Sequence, residues 1–186
     1  MKNAKSMRRV GIAALVVVAA IVSVPVCLAG VEEDYQKGNE AQGRGDFMVA
    51  MPLLKNAADQ GYAPAQALYG EMLDASESNE EAVSYFIKAA EQGNARGQFG
   101  LAKMYGAAKG VARDNEKAAF WLKKAAEQDY FEALKVIVGA YRNGTYGFKV
   151  DPEQAQAWEA RLRVASDKFV KEQQEKNAKA KAAGKN

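Results

Sequence analysis

The sequence predicts an all-α fold: an α-solenoid, wound as a right-handed superhelix from four stacked helix-turn-helix units. Three observations predict it. A short string recurs: Lys55-Asn56-Ala57-Ala58-Asp59-Gln60-Gly61, Lys88-Ala89-Ala90-Glu91-Gln92-Gly93 and Trp121-Leu122-Lys123-Lys124-Ala125-Ala126-Glu127-Gln128, with a fainter copy from Trp158 to Ala165. Counted through Lys55, Lys88, Lys124 and Arg161, the copies lie 33, 36 and 37 positions apart. A period of about 20 to 50 residues marks a solenoid, because one helix pair cannot bury its own apolar face and must stack on a neighbour. Finally, Leu101, Ala102 and Tyr105 fall on one helical stripe, and Ala118, Trp121, Leu122 and Ala125 on a second. The chain divides into a leader over 1–29, a repeat domain over 30–165 and a Lys-rich tail over 166–186, helical or disordered. The four units lie at about 31–62, 63–94, 95–130 and 131–165.

The leader comes first. Lys2, Lys5, Arg8 and Arg9 make a basic start, 10–26 is uncharged and apolar, and Cys27 and Ala29 are small residues at the two positions a signal peptidase reads, so cleavage is expected after Ala29. Three readings compete. The uncharged run over 10–29 is long enough for an uncleaved anchor; Cys27 is a candidate for lipid modification, against which Val26 is bulky; Arg8-Arg9 fits twin-arginine export, although so apolar a run favours the general secretory route. The expected address is the periplasm.

Removing the leader changes the charge balance. The whole chain has 26 basic and 23 acidic residues. The first 29 hold four of the basic ones and no acid, leaving 22 against 23 and a net of −1. No basic face for nucleic acid is indicated. The only cysteine leaves with the leader, so no disulfide is expected and packing alone must hold the domain.

Within the units, Gly61 and Gly93 follow Ala-rich runs, where a left-handed helix cap needs no Cβ. Ser78-x-x-Glu81 reads as a capping box, and Asp151-Pro152 as an N-cap followed by proline at the first helical position. Pro52 falls about six positions into the second helix of unit one, where it removes a backbone bond and should kink the helix. Tyr85, Tyr105, Trp121, Tyr141 and Trp158 occupy repeat positions that face a neighbouring helix and read as core. Asn143-Gly144-Thr145 reads as turn chemistry.

Unit three, with Leu101-Ala102-x-x-Tyr105, Gly110-Val111-x-x-Asp114 and Lys117-Ala118-x-x-Trp121-x-x-Lys124-Ala125-Ala126, resembles the Sel1-like repeat, a relative of the tetratricopeptide repeat. Unit four repeats most of it through Gly139, Tyr141, Gly144, Gly147-Phe148, Asp151, Ala155 and Trp158. Unit two keeps Leu68, Ala82, Tyr85 and Lys88-Ala89-Ala90 with a loop expected to be three residues shorter. Unit one, with Gly38, Ala41, Gly45-Asp46-Phe47, Ala50, Leu54 and Ala57, is closer to a tetratricopeptide unit.

The chemical inventory argues against an enzyme. There is no histidine, and the expected mature chain has no thiol, which excludes His-dependent triads and the usual zinc sets. The remaining hydroxyls, at Ser76, Ser78, Ser84, Ser166 and Thr145, include no Ser-x-x-Lys. Acidic pairs such as Glu32-Glu33 and Glu80-Glu81 read as helix-dipole complements. No cofactor or metal is expected.

The resemblance implies an adaptor that holds a protein or peptide partner on the concave face lined by its first helices. Alternatively, it implies an immunity protein neutralising a phospholipase toxin of type VI secretion, or a structural subunit of an envelope complex. On a 3.6-residue helix the candidate partner-binding row is Gln66 and Gly70 in unit two, Arg96, Phe99 and Lys103 in unit three, and Lys135, Gly139 and Arg142 in unit four. Its cations, single ring and glycines suit an extended, carboxylate-bearing segment. The tail holds six lysines against three acids. It is expected to continue the last helix as an exposed extension ending before Gly184, capping the array or weakly touching an anionic membrane surface.

Overall fold

The computed structural model describes residues 24–183. The leader expected over 1–29 therefore lies outside the described residues, except that 24–29 open the first helix. The described residues form eight α-helices and no strand: α1 Val24–Gly43, α2 Phe47–Asp59, α3 Ala63–Ala75, α4 Asn79–Glu91, α5 Ala95–Ala107, α6 Asn115–Glu127, α7 Phe131–Asn143 and α8 Pro152–Ala183. They pair as α1/α2, α3/α4, α5/α6 and α7/α8, and each hairpin packs on the next, which makes the array an all-α solenoid. α8 runs well past the unit boundary expected at 165.

Helix ends follow from local chemistry. After α1 to α4 and after α6 comes a residue at positive φ: Gly45, Gly61, Glu77, Gly93 and Asp129. The next N–H then reaches back to an orphan carbonyl, as in Tyr62 to Ala57 and Asn94 to Ala89. Asp46, Asn94 and Asp114 cap the following helices with side-chain oxygens, and Asp151 accepts from the N–H groups of Glu153 and Gln154 with Pro152 opening α8, as expected. Ser78 holds the cap position of α4 but makes no side-chain cap bond, so the capping box is not formed. Gly110, from the next unit's loop, instead lies against the backbone of Asn79 and Glu80. α2 continues through Pro52, which sits on its exposed side, where water can take the freed carbonyl.

The core shows the true register of the repeat. The buried pairs Ala57/Ala58, Ala89/Ala90 and Ala125/Ala126 are 32 and then 36 residues apart, so Lys88 corresponds to Asn56 and the first spacing is 32, not 33. The turn between α3 and α4 takes three residues, 76–78, and the loop between α5 and α6 takes seven, 108–114, four more rather than three. In this register one knob per unit, Leu54, Phe86 and Leu122, enters between two first helices, and its size matches its neighbours. Leu54 has Gly38 on one side and Leu68 on the other; Phe86 has Gly70 and Gly100; Leu122 has Ala102 and Val136. The largest knob has glycine on both sides, as close packing requires.

A second inter-unit device is polar. Gln66 and Gln98 are buried, and each donates to a carbonyl of the preceding unit, Ala58 at 3.1 Å and Ala90 at 3.4 Å. Each accepts in turn from the glutamine ending its own unit's second helix, Gln92 and Gln128, both at 2.8 Å. Buried amides held on both sides fix the stacking of one unit on the next.

Candidate functional site

The first helices carry the expected row, and the corrected register changes its composition. Ala67, Phe99 and Lys135 share one level of α3, α5 and α7, as do Glu71, Lys103 and Gly139 one turn on, and Asp74, Gly106 and Arg142 after them. In unit two the row is therefore acidic. Gln66 and Gly70, expected on it, are both buried: Gln66 is consumed by the amide ladder, and a Cβ on Gly70 would stand 3.0 Å from the Phe86 ring. Glu71 and Asp74 escape the sequence reading because it makes the loop of unit two three rather than four residues shorter than that of unit three, which shifts α3 against α5 by one residue.

The acids neutralise the neighbouring cations. Arg96 grips Glu71 with both ends of its guanidinium, Nε to Oε1 at 2.8 Å and Nη2 to Oε2 at 2.7 Å, tying α5 to α3 across a half-buried contact. Burial alone would lower the Arg96 pKa, but the hydrogen bonds and charge of Glu71 raise it overall. Lys103 at 3.5 Å and Lys109 at 2.8 Å share Asp74, whose side chain is largely buried; the hydrogen bond to Asp74 raises the Lys109 pKa.

Phe99 stands on the row but is not an open ring. It is half-buried, with its ring 5.6 Å from that of Tyr130 at the entry to α7 and the Lys103 ammonium 6.0 Å from its centroid. Burial, then the charges of Glu132 and Glu71, push the Tyr130 hydroxyl pKa up. Arg142 is exposed and pairs with Glu159 of α8 at 2.7 Å. Lys135 is exposed, lies 5.7 Å over the Phe131 ring and makes no ion pair among the described residues. One turn on, no atom lies within 4 Å of where a Cβ on Gly139 would stand. Thus Arg96, Phe99 and Lys103 on α5 and Lys135 and Arg142 on α7 lie on first helices of successive units, as the expected row requires, but three of the four cations already have partners.

Among the described residues no group of three or more His, Cys, Asp or Glu is placed to hold a metal ion. No helix there is long and apolar enough to cross a membrane.

Tandem helix hairpins with matched knobs and an inter-unit ladder define a helical-repeat scaffold. Residues 63–94, 95–130 and 138–158 match the Sel1 repeat, and the chain is a Sel1-like repeat protein. Proteins built from this repeat generally mediate protein–protein interaction. Among solved structures, a Sel1 repeat protein from Oxalobacter formigenes is 27% identical with a TM-score of 0.64, the match covering 71% of this chain and 56% of that one. The c5321 protective antigen of uropathogenic Escherichia coli, which displays an SLR fold, is also 27% identical with a TM-score of 0.64, covering 77% of this chain and 35% of that one. A Sel1 repeat protein from Klebsiella pneumoniae subsp. pneumoniae, 22% identical over 77% of this chain and 72% of that one with a TM-score of 0.63, shares the fold. The chain thus spans about half of the first of these and about a third of the second. No curated protein matches the sequence.

Proposed function

We propose that the chain is an exported, non-enzymatic scaffold that holds a protein or peptide partner along the face formed by α5 and α7. The carrying observation is the pairing of Lys135, an exposed cation without an anionic partner in the described residues, with uncovered backbone at Gly139 one turn away. That combination suits an extended segment with a carboxylate, which Lys135 would pair while Gly139 admits its backbone. Export is supported by the basic start and apolar run of 1–29. The test is capture from a crosslinked envelope fraction with tagged wild type, Lys135→Glu and a chain lacking 166–186. A partner lost from Lys135→Glu and kept without the tail supports the reading. A partner kept by Lys135→Glu and lost without the tail makes the chain a tail-docked subunit instead. An N-terminal mass beginning at Gly30 tests the address.

A further inference from the structure

The two long loops do more than link helices, because each reaches back over the preceding unit. In the loop over 108–114, Gly110 lies against the backbone of Asn79 and Glu80 where α4 begins, and Val111 packs into the core below. In the loop over 144–151, Gly147 lies against the backbone of Asn115 where α6 begins; Phe148 packs into the next core cluster with its ring 4.7 Å from that of Tyr141. Asn79 and Asn115 hold one place in the repeat, as do Gly110 and Gly147, and Val111 and Phe148. Each seat at the start of a second helix therefore receives a glycine at positive φ, +64° in one loop and +81° in the other, followed by an apolar side chain. A side chain at the glycine would meet backbone in both seats, so only glycine fits.

The same seat exists once more, at the start of α2. Phe47 holds the place of Asn79 there, but the turn of the following unit, 76–78, has only three residues and does not reach it. What remains is an open cleft of about 530 Å³ lined by Gln42 of α1, Phe47 and Met51 of α2, Glu71, Met72 and Ala75 of α3, and Ser76 of the turn. Phe47 is 56% exposed and the adjacent Met48 88%. The charge of the seat also differs. In the covered seat the loop's Lys109 pairs with Asp74, whereas Gln42 stands in the place of Asp74 here, and Glu71, the one acid lining the cleft, is already held by Arg96, so the vacant seat asks for no further cation.

We propose that this vacant seat between α1, α2 and α3 receives a loop of a partner protein carrying glycine followed by a branched or aromatic apolar residue, without a paired cation. The occupant is inferred from the chain itself, which fills the two equivalent seats with such loops. A second copy of the chain does not supply it, because both long loops are already seated within their own molecule. The proposal rests on the protein-binding reading above but names a different surface from the one around Lys135.

The test uses the purified chain with isotopically labelled methionine methyl groups and, as probe, a cyclised peptide with the sequence of residues 107–115. Met51 and Met72 report the vacant seat; Met104, which holds the place of Met72 in the covered unit and is buried, is the internal control. The expected result is a saturable shift of the Met51 and Met72 signals at millimolar peptide or below, with Met104 unmoved. The peptide carrying Val111→Asp should bind about tenfold more weakly or worse, since the apolar side chain supplies the burial. A chain whose residues 76–78 are replaced by the sequence of 108–114 fills its own seat and should show no peptide-induced shift. Absence of a saturable shift in the wild type, equal binding of the Val111→Asp peptide, or unchanged shifts in the grafted chain would overturn the proposal. Capture that is lost in Lys135→Glu while the seat fails these tests leaves the first reading standing and removes only this one.

Discussion

Replacing Gly100 by alanine tests whether glycine is what lets α3 and α5 close on Phe86. Phe86 is 1% exposed, and a Cβ on Gly100 would overlap its ring; a Cβ on Gly70 would stand 3.0 Å away on the other side, so the ring has no free side to move into. Overpacking costs about 1 to 3 kcal/mol, and a direct overlap with a ring that has no free side belongs to the upper part of that range, about 2 to 3 kcal/mol. Alanine is favoured over glycine inside a helix by about 1 kcal/mol, so Gly100→Ala should lose a net of about 1 to 2 kcal/mol, equivalent to roughly 2 to 8 °C in melting temperature for a chain of this size. Gly139→Ala is the control: it also lies inside a helix but meets nothing within 4 Å, so it should gain about 0.5 to 1 kcal/mol. Phe86→Leu, the residue type that Leu122 supplies in the next unit, should recover most of the loss when combined with Gly100→Ala. Urea unfolding of the three variants and the double mutant gives the coupling directly. The reasoning fails if Gly100→Ala matches or exceeds the wild type, or if Phe86→Leu adds its cost to that of Gly100→Ala without compensation.

Other outcomes follow from the same structure. Glu77 is exposed at φ +64°, where the equivalent place in unit one holds Gly45, so Glu77→Gly should stabilise by roughly 0.5 to 1 kcal/mol in thermal melts. Gln128→Ala leaves the buried Gln98 carbonyl oxygen without its donor and should cost about 1 to 3 kcal/mol in urea unfolding; adding Gln98→Leu should recover part of it, because Leu134 fills the same place in α7. Burial, then the hydrogen bond to Asp59, push the Tyr85 hydroxyl from an ordinary 10.0 up to about 12. Its folded pKa being raised, Tyr85 contributes stability that is complete below pH 10 and lost as pH rises through about 12. Phenolate absorbance that is complete near pH 10 would contradict this.

The architecture was legible in the sequence because the residues that make it are buried and therefore repeat. The Ala pairs, Tyr85 and Trp158 are buried and Trp121 is half-buried, and they recur at the spacing that packing imposes; the capping glycines are exposed and recur because their backbone needs a positive φ. Lys55 misled the register because it is exposed, and no packing fixes which lysine of a charged run matches another. A separate one-residue error, in the loop of unit two counted as three rather than four residues shorter than that of unit three, turned the interior Gln66 and Gly70 outward and hid Glu71 and Asp74. The contact that half-buries Phe99 was not legible for a different reason: its partner Tyr130 lies in a turn, outside the helical periodicity that sequence reasoning follows. The loop seats depend on contacts such as Gly110 with Asn79, and nothing in either residue's local sequence announces the other.

The end of the array follows from the same positions that build it. Where units one to three present Leu54, Phe86 and Leu122 to the next first helix, unit four presents Glu159. Where small alanines, Ala58, Ala90 and Ala126, let that helix approach, unit four has Arg163. A fifth hairpin seated there would have to bury Glu159 and Arg163, and an ion taken out of water costs several kcal/mol before any pairing is recovered. Exposed, Glu159 is instead satisfied by Arg142 at 2.7 Å, a contact worth about 0 to 1 kcal/mol that neither gains nor loses much by staying in water. Among the described residues no helix packs on that face of α8; Arg161 instead reaches back to unit three, binding Asp129 and the Glu127 carbonyl, and the Phe169 ring of the extension stacks on Phe131 of its own unit at 6.1 Å. Polar residues at the stacking positions, rather than the tail's lysines, are what make unit four a poor seat for a further hairpin.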